Sequence, residues 1–258
     1  MARKRRHAPL RVYQNNRFVG RLLKEASGAV SFQYDESWID NPQAYPVSLS
    51  LPLREDAYRG APVSAVFENL LPDSEELIRR VAERVGAEGT DAYSMLAAIG
   101  SDCVGALQFI SNDNNDVQDT AAIGGEIVDD EAIESILNNL GRAPLGLSDN
   151  DAFRISVAGA QEKTALLYHD GRWLKPHRIT PTTHIFKTQI GKLPEGIDLT
   201  NSVENEFYCI KLMDVFGLTV NKAEMRKFGN TKALVVERFD RLWAKDGRLL
   251  RLPQEDCC

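Results

Sequence analysis

The chain is poor in residues that staple a fold or hold a metal. Its four cysteines are Cys103, Cys209, Cys257 and Cys258, and no pair is spaced as CxxC. Neither a disulfide framework nor a zinc site is expected from them. The four histidines, His7, His169, His177 and His184, share no ligand spacing. No run approaches the roughly 20 apolar residues that cross a bilayer. The basic start MARKRRHAPLR is not followed by an apolar stretch, so it does not read as a secretory signal, and the expected location is the cytoplasm. Nor does one sign of charge dominate: 31 Lys and Arg against 37 Asp and Glu leave a net −6. Such a balance excludes general polyanion binding and leaves nucleic acid only a local patch.

What is present is ordinary globular material. The hydrophobic fraction is 43% and the charged fraction 26% over 258 residues, which suits one large domain or two smaller ones. Residues 9–35 read as strands, with Asn15-Asn16 as a tight hairpin turn because asparagine tolerates positive φ. The run Pro46-Val-Ser-Leu-Ser-Leu-Pro-Leu alternates between two prolines and predicts an edge strand. Helices follow. Asp73 with Glu76 forms a capping-box pattern, Leu77, Ile78, Val81, Ala82 and Val85 share a face, and Gly86 ends the helix. A short helix near residues 92–99 precedes a strand at 104–110. Residues 111–126 read as a loop, and a third helix starts near Asp130 and stops at Gly141. The boundary falls in 141–151, rich in Gly, Pro, Ser, Asn and Asp, giving domains at 8–140 and 151–258.

The second part orders its elements distinctively. The strand Phe153-Arg-Ile-Ser-Val leads into the turn Ala158-Gly-Ala-Gln-Glu-Lys163, and a strand and an Asp170-Gly171 hairpin follow. Next come a strand carrying Lys187, a helix over 203–216 with acids, two strands, and Glu237-Arg-Phe-Asp-Arg241. A protein-kinase small lobe is built in this order: backbone N–H groups of a glycine turn face phosphates, a strand lysine reaches them, and a helix acid holds the lysine. Gly159 lets backbone approach an anion closely because it has no Cβ.

The blocks themselves resemble a known family. Residues 153–166 resemble the signature turn of the HipA family of bacterial toxin kinases. Thr180-Pro-Thr-Thr-His-Ile-Phe-Lys187, Ser202-Val-Glu-Asn-Glu-Phe-Tyr-Cys209, Val236-Glu-Arg-Phe-Asp-Arg241 and Leu252-Pro-Gln-Glu-Asp-Cys-Cys258 are similar to later blocks in order. Glu68-Asn-Leu-Leu-Pro-Asp-Ser74 and Ile99-Gly-Ser-Asp-Cys-Val-Gly-Ala106 are similar to its N-terminal subdomain. The resemblance implies an α+β fold: a β-rich N-terminal subdomain, then a kinase-like small lobe of the HipA/PI3-4-kinase type. It implies an ATP- and Mg²⁺-dependent serine/threonine protein kinase acting on aminoacyl-tRNA synthetases to cause dormancy. A HipB-like antitoxin is the implied partner, with DNA engaged only indirectly and no membrane.

Residue by residue, the resemblance implies that Ala158, Gly159, Ala160, Gln161, Glu162 and Lys163 form the phosphate-contacting turn. Lys187 contacts the α-phosphate side of ATP, and Glu237, Arg238 and Phe239 form the adenine hinge. Ser156 is the implied autophosphorylation site. A phosphate there adds about −1.5 to −2 charges where the nucleotide's own phosphates belong; the plainer reading is an inward strand hydroxyl. Glu206 is the expected partner of Lys187, with Glu204 the alternative. Two apart on a helix, they do not share a face.

The departures concern the large lobe. No segment of the His-Arg-Asp, Asp-Gly-His-Ala-Lys-Asn, Asp-Phe-Gly or Tyr-Asp-Ile kind occurs, so no catalytic residue and no metal ligand is assigned. The expectation is an incomplete lobe, inactive by itself. The other reading is a short form that binds antitoxin or nucleotide without transferring phosphate. An exposed apolar patch is expected near Phe239, Leu242, Trp243 and Leu252. Arg3-Lys-Arg-Arg6 reads as a solvated tail. Asp113, Asp116 and Asp119 lack the glycine and closing glutamate of a calcium loop, and Trp38, Trp173 and Trp243 read as packing residues.

Overall fold

In the computed structural model the structure describes residues 7–111, 123–147, 153–159, 161–177, 179–193 and 196–256. The chain divides into two compact units, each discontinuous in sequence, unlike the contiguous ranges 8–140 and 151–258. The first comprises the described residues of Met1–Ile123, Arg154–Gly159 and Asp240–Cys258; the second those of Gly124–Phe153 and Ala160–Phe239.

The first unit opens with β1 (Leu10–Gln14), β2 (Arg17–Lys24) and β3 (Val30–Tyr34). Asn15 and Asn16 close β1 on β2 at φ 45° and 69°, the left-handed pair that a two-residue hairpin needs. Helix α1 (Glu36–Ile39), strand β4 (Tyr58–Arg59), helices α2 (Ala61–Glu68), α3 (Glu75–Val85) and α4 (Ala92–Ile99), and β5 (Leu107–Ile110) follow. The antiparallel sheet runs β4-β3-β2-β1-β5. Phe67 of α2 packs on Phe32 of β3 and Phe109 of β5, with ring centroids 5.5 and 5.6 Å apart.

Two local expectations are corrected. Residues 46–53 form no strand. The Ser48 hydroxyl accepts from Ser50 N–H at 3.0 Å and the Ser48 carbonyl from Leu51 N–H at 3.0 Å, so local turns replace a ladder that two prolines cannot donate to. The cap of α3 is Ser74 rather than Asp73: its Oγ accepts from Leu77 N–H at 3.3 Å. Gly86 ends that helix at φ 66°.

The second unit contains β6 (Gly125–Val128), α5 (Asp130–Asn138), β7 (Lys163–His169), β8 (Arg172–Pro176), β9 (His184–Thr188), β10 (Gly191–Lys192), β11 (Asp198–Leu199), α6 (Ser202–Val215), β12 (Ala223–Phe228) and β13 (Thr231–Glu237). Its main sheet is antiparallel, ordered β12-β13-β9-β7-β8-β6. The two faces separate by the period of two. Phe186 and Val235 join Phe228, Trp173 and the α5 residues Ile133 and Leu137 in one core. Leu234 and Val236 join Val203 of α6 in the other, with Phe207 and Ile210 beside them. Strand β6 overturns the loop expected through 126: Gly125 pairs with Pro176, and a Cβ there would meet the Lys175 carbonyl.

Residues 153–157 form no strand either. Within the first unit, Ser156 N–H donates to the Asp102 carbonyl at 2.9 Å instead of to a ladder. The chain rejoins this unit through β14 (Arg241–Trp243) and β15 (Leu249–Arg251). Arg241 and Arg251, both buried, meet the buried Asp102 carboxylate at 2.8 and 3.1 Å. Among the described residues no helix is long and apolar enough to cross a membrane.

Candidate nucleotide-binding site

Lys187 lies in β9, and its Nζ donates to Glu206 Oε1 of α6 at 2.6 Å. Both side chains are partly exposed, at 24% and 33%. Glu204, the alternative partner, turns elsewhere: it pairs with Lys232 of β13 and accepts from Gln189 Nε2. Those donors, Lys232 first, hold its carboxyl down at about 2.

Lys163 begins β7 and is the direct cross-strand partner of Lys187. Opposed residues on antiparallel neighbours share a face. This is the α6 face, since Leu234, the partner of Lys187 on β13, packs against Val203. Lys163 is buried. Gln161 Nε2 donates to the Thr188 carbonyl at 2.8 Å, tying the approach to β7 to the end of β9. The register therefore sets Gln161, Lys163 and Lys187 along one pair of strands. Beside Lys187 and Glu206 a cleft of about 410 Å³ is lined also by Cys209, Met213, Asn221 and Val236.

Of the residues expected to form the hinge, Glu237 ends β13 and Arg238 and Phe239 follow it. Glu237 N–H donates to the Lys222 carbonyl and Arg238 N–H to the Thr183 carbonyl, both at 2.8 Å. Arg238 is buried, and its guanidinium donates to Thr182 Oγ1 at 2.8 Å. Glu237 pairs with Lys222 Nζ at 3.3 Å. Phe239 is 62% exposed, and none of the described hydrogen bonds uses its N–H. Leu242 and Trp243 are exposed as well. His184, at the start of β9, has its pKa lowered chiefly by burial, opposed by the Glu237 charge.

Ala158 and Gly159 belong to the first unit, where Gly159 adopts φ 104°, a conformation that favours glycine. Glu162 is partly buried. Ser156 is also in the first unit, fully buried, and its Oγ donates to the Leu70 carbonyl. Ala160, Cys257, Cys258, Arg3–Arg6, Asp113, Asp116 and Asp119 lie outside the described residues. Among the described residues no group of three or more His, Cys, Asp or Glu is placed to hold a metal ion.

Sequence reading missed Gln189 and the opposition of the two lysines. The second follows from strand register, which no local pattern specified; the first leaves no signal beyond a polar residue after a strand.

Residues 10–110 match the family described as HipA N-terminal domain, and residues 155–258 the HipA-like C-terminal domain. The chain belongs to the HipA family. Among relatives of this HipA-family chain, a Sinorhizobium fredii protein named "Putative kinase Y4mE" is 34% identical, over 96% of this chain and 58% of that protein. The serine/threonine-protein kinase toxin HipA of Shewanella oneidensis is 27% identical, over 90% of this chain and 50% of that one. Among solved structures, the complex of HipA, HipB and operator DNA from the Shewanella oneidensis toxin–antitoxin system matches with TM-score 0.69 and 26% identity, over 94% of this chain and 53% of that one. The chain thus spans about half the length of the relatives it matches.

Proposed function

We propose that this HipA-family chain carries the nucleotide-binding part of a serine/threonine protein kinase toxin. The single observation that carries the reading is the Lys187–Glu206 pair, set across β9 and α6 with Lys163 opposite. Lys187 takes the α-phosphate side. By the resemblance, residues 158–163 are the proposed phosphate-contacting turn. The Glu237 carbonyl and Phe239 N–H hold the adenine edge, since the neighbouring N–H groups already donate within the protein. Ser156 is the autophosphorylation site, and its modification requires that the segment carrying it first leave the Leu70 carbonyl.

Mg²⁺ and the groups that orient the attacking hydroxyl are expected from a large lobe whose motifs residues 1–258 do not carry, so these residues by themselves bind ATP without transferring phosphate. A HipB-like antitoxin is the proposed partner, with DNA reached through it, as the assembly named for the Shewanella oneidensis structure suggests. Aminoacyl-tRNA synthetases are the proposed substrate class of the complete kinase. The test is thermal unfolding with millimolar Mg-ATP. The midpoint should rise, because a ligand that binds the native state stabilises it; no rise would overturn the nucleotide reading.

A further inference from the structure

Asn201, the residue before α6, makes no side-chain capping bond. The first turn of the helix is satisfied instead from the strand side. Gln189 Oε1 accepts from Val203 N–H at 2.9 Å and from Ser202 Oγ at 3.1 Å, while its Nε2 donates to Glu204. Chemistry allows this amide one orientation: the oxygen must face the backbone N–H and the nitrogen the carboxylate. Ser202 Oγ in turn accepts from Ile190 N–H at 2.9 Å.

Gln189 lies two residues past Lys187, as Glu206 lies two past Glu204. One short run of chain therefore grips α6 twice, once at its first turn through Gln189 and again through Lys187 on Glu206. Val203 is the helix's one buried residue, with Phe207 and Ile210 packed beside it and Lys232 of β13 paired with Glu204. A slip of a single residue moves a helical side chain by about 1.5 Å along the axis and turns it by about 100°. Either displacement takes Glu206 away from the 2.6 Å contact.

We propose that Gln189 is a positioning residue, capping α6 so that Glu206 meets Lys187. Its consequence for nucleotide rests on the reading of Lys187 as the phosphate-contacting lysine; its consequence for the ion pair does not.

The experiment uses the full 258-residue chain. A lysine ammonium held in a salt bridge is visible in a proton–nitrogen correlation spectrum, and the Lys187 signal is assigned by its loss in Lys187→Met. Gln189→Met keeps the side-chain volume but neither polar end, and should abolish that signal while the fold persists. It should also weaken Mg-ATP binding about three- to tenfold, the loss expected for a hydrogen-bonded tether. In a Glu206→Gln background the same substitution should weaken binding no further. A role confined to stability would lower the melting midpoint but leave the ammonium signal and the affinity unchanged, and that outcome overturns the proposal. Should Gln189→Met fail to fold, Ser202→Ala removes a milder part of the cap and should weaken the signal; an unchanged signal counts against the proposal equally. If the unsubstituted chain binds no Mg-ATP, the nucleotide reading falls alone, because the ammonium signal still decides the role of Gln189.

Discussion

Lys163 and Lys187 stand directly opposite one another on β7 and β9. Glu206 offsets the charge of Lys187, so the opposition of the two lysines is tolerated. Lys187→Met should therefore separate stability from binding. The pair is partly exposed and solvent-screened, so its loss costs about 0–1 kcal/mol in urea unfolding. The rise in melting midpoint with Mg-ATP should vanish. A variant that kept the rise would place the phosphates elsewhere.

The buried charges of the first unit predict a larger effect. Asp102 is 1% exposed and meets both Arg241 and Arg251. Asp102→Ala removes a buried carboxylate shared by two buried guanidiniums and should cost about 3–5 kcal/mol. Asp102→Asn, which keeps an acceptor for the two arginines, should cost less than Asp102→Ala. Denaturant midpoints of the two variants, ranked in the opposite order, would refute this account.

Ser156 gives a third prediction. Its hydroxyl donates to Leu70 from a fully buried position. Ser156→Ala should cost about 1–2 kcal/mol through the lost bond. Ser156→Asp buries a charge at the same place, so it should destabilise more and open residues 154–159 to protease. Equal cleavage of both variants would argue that the segment is already free.

Gly229 turns β12 into β13 at φ 54°, and a Cβ there would fall on the Glu134 carboxylate. That carboxylate accepts from Asn230 N–H at 2.6 Å. Gly229→Ala should therefore cost about 1–3 kcal/mol from strain and the displaced bond. Gly28→Ala, at φ 90° with no atom within 4 Å, carries strain alone and should cost about 1–2 kcal/mol at most.

Acid should weaken the second unit through Glu204. Its carboxyl is lowered from 4.5 to about 2, with Lys232 the first cause. A carboxylate lowered on folding contributes stability that is fully present above its unfolded value and is lost as pH falls toward its folded value. Unfolding midpoints should therefore drop between pH 4.5 and about 2, and Glu204→Gln should drop less steeply. His184 acts at milder pH. Its lowered pKa means the unfolded chain takes the proton first, so stability falls as pH drops below 6.5. Identical pH slopes in Glu204→Gln and the parent would remove Glu204 from this explanation.

Local chemistry was legible in the residues themselves. Asn15-Asn16 and Asp170-Gly171 mark their hairpins because few residues tolerate positive φ, and Gly86 marks a helix end for the same reason. The candidate site's residue types were legible as well, through blocks similar to HipA. The same local rules misplaced the cap of α3 by one residue, because Asp73 and Ser74 are both good caps and only the backbone path chooses. They also made a strand of 46–53, where serine turns compete with pairing. Tertiary structure alone decided the rest: which strands of the second unit are neighbours, that β6 joins them, and that Asp102 meets arginines more than a hundred residues away. The reason is physical. Turns and caps are short-range contests between a few backbone groups. Register and buried ion pairs depend on surfaces that exist only after distant segments have packed.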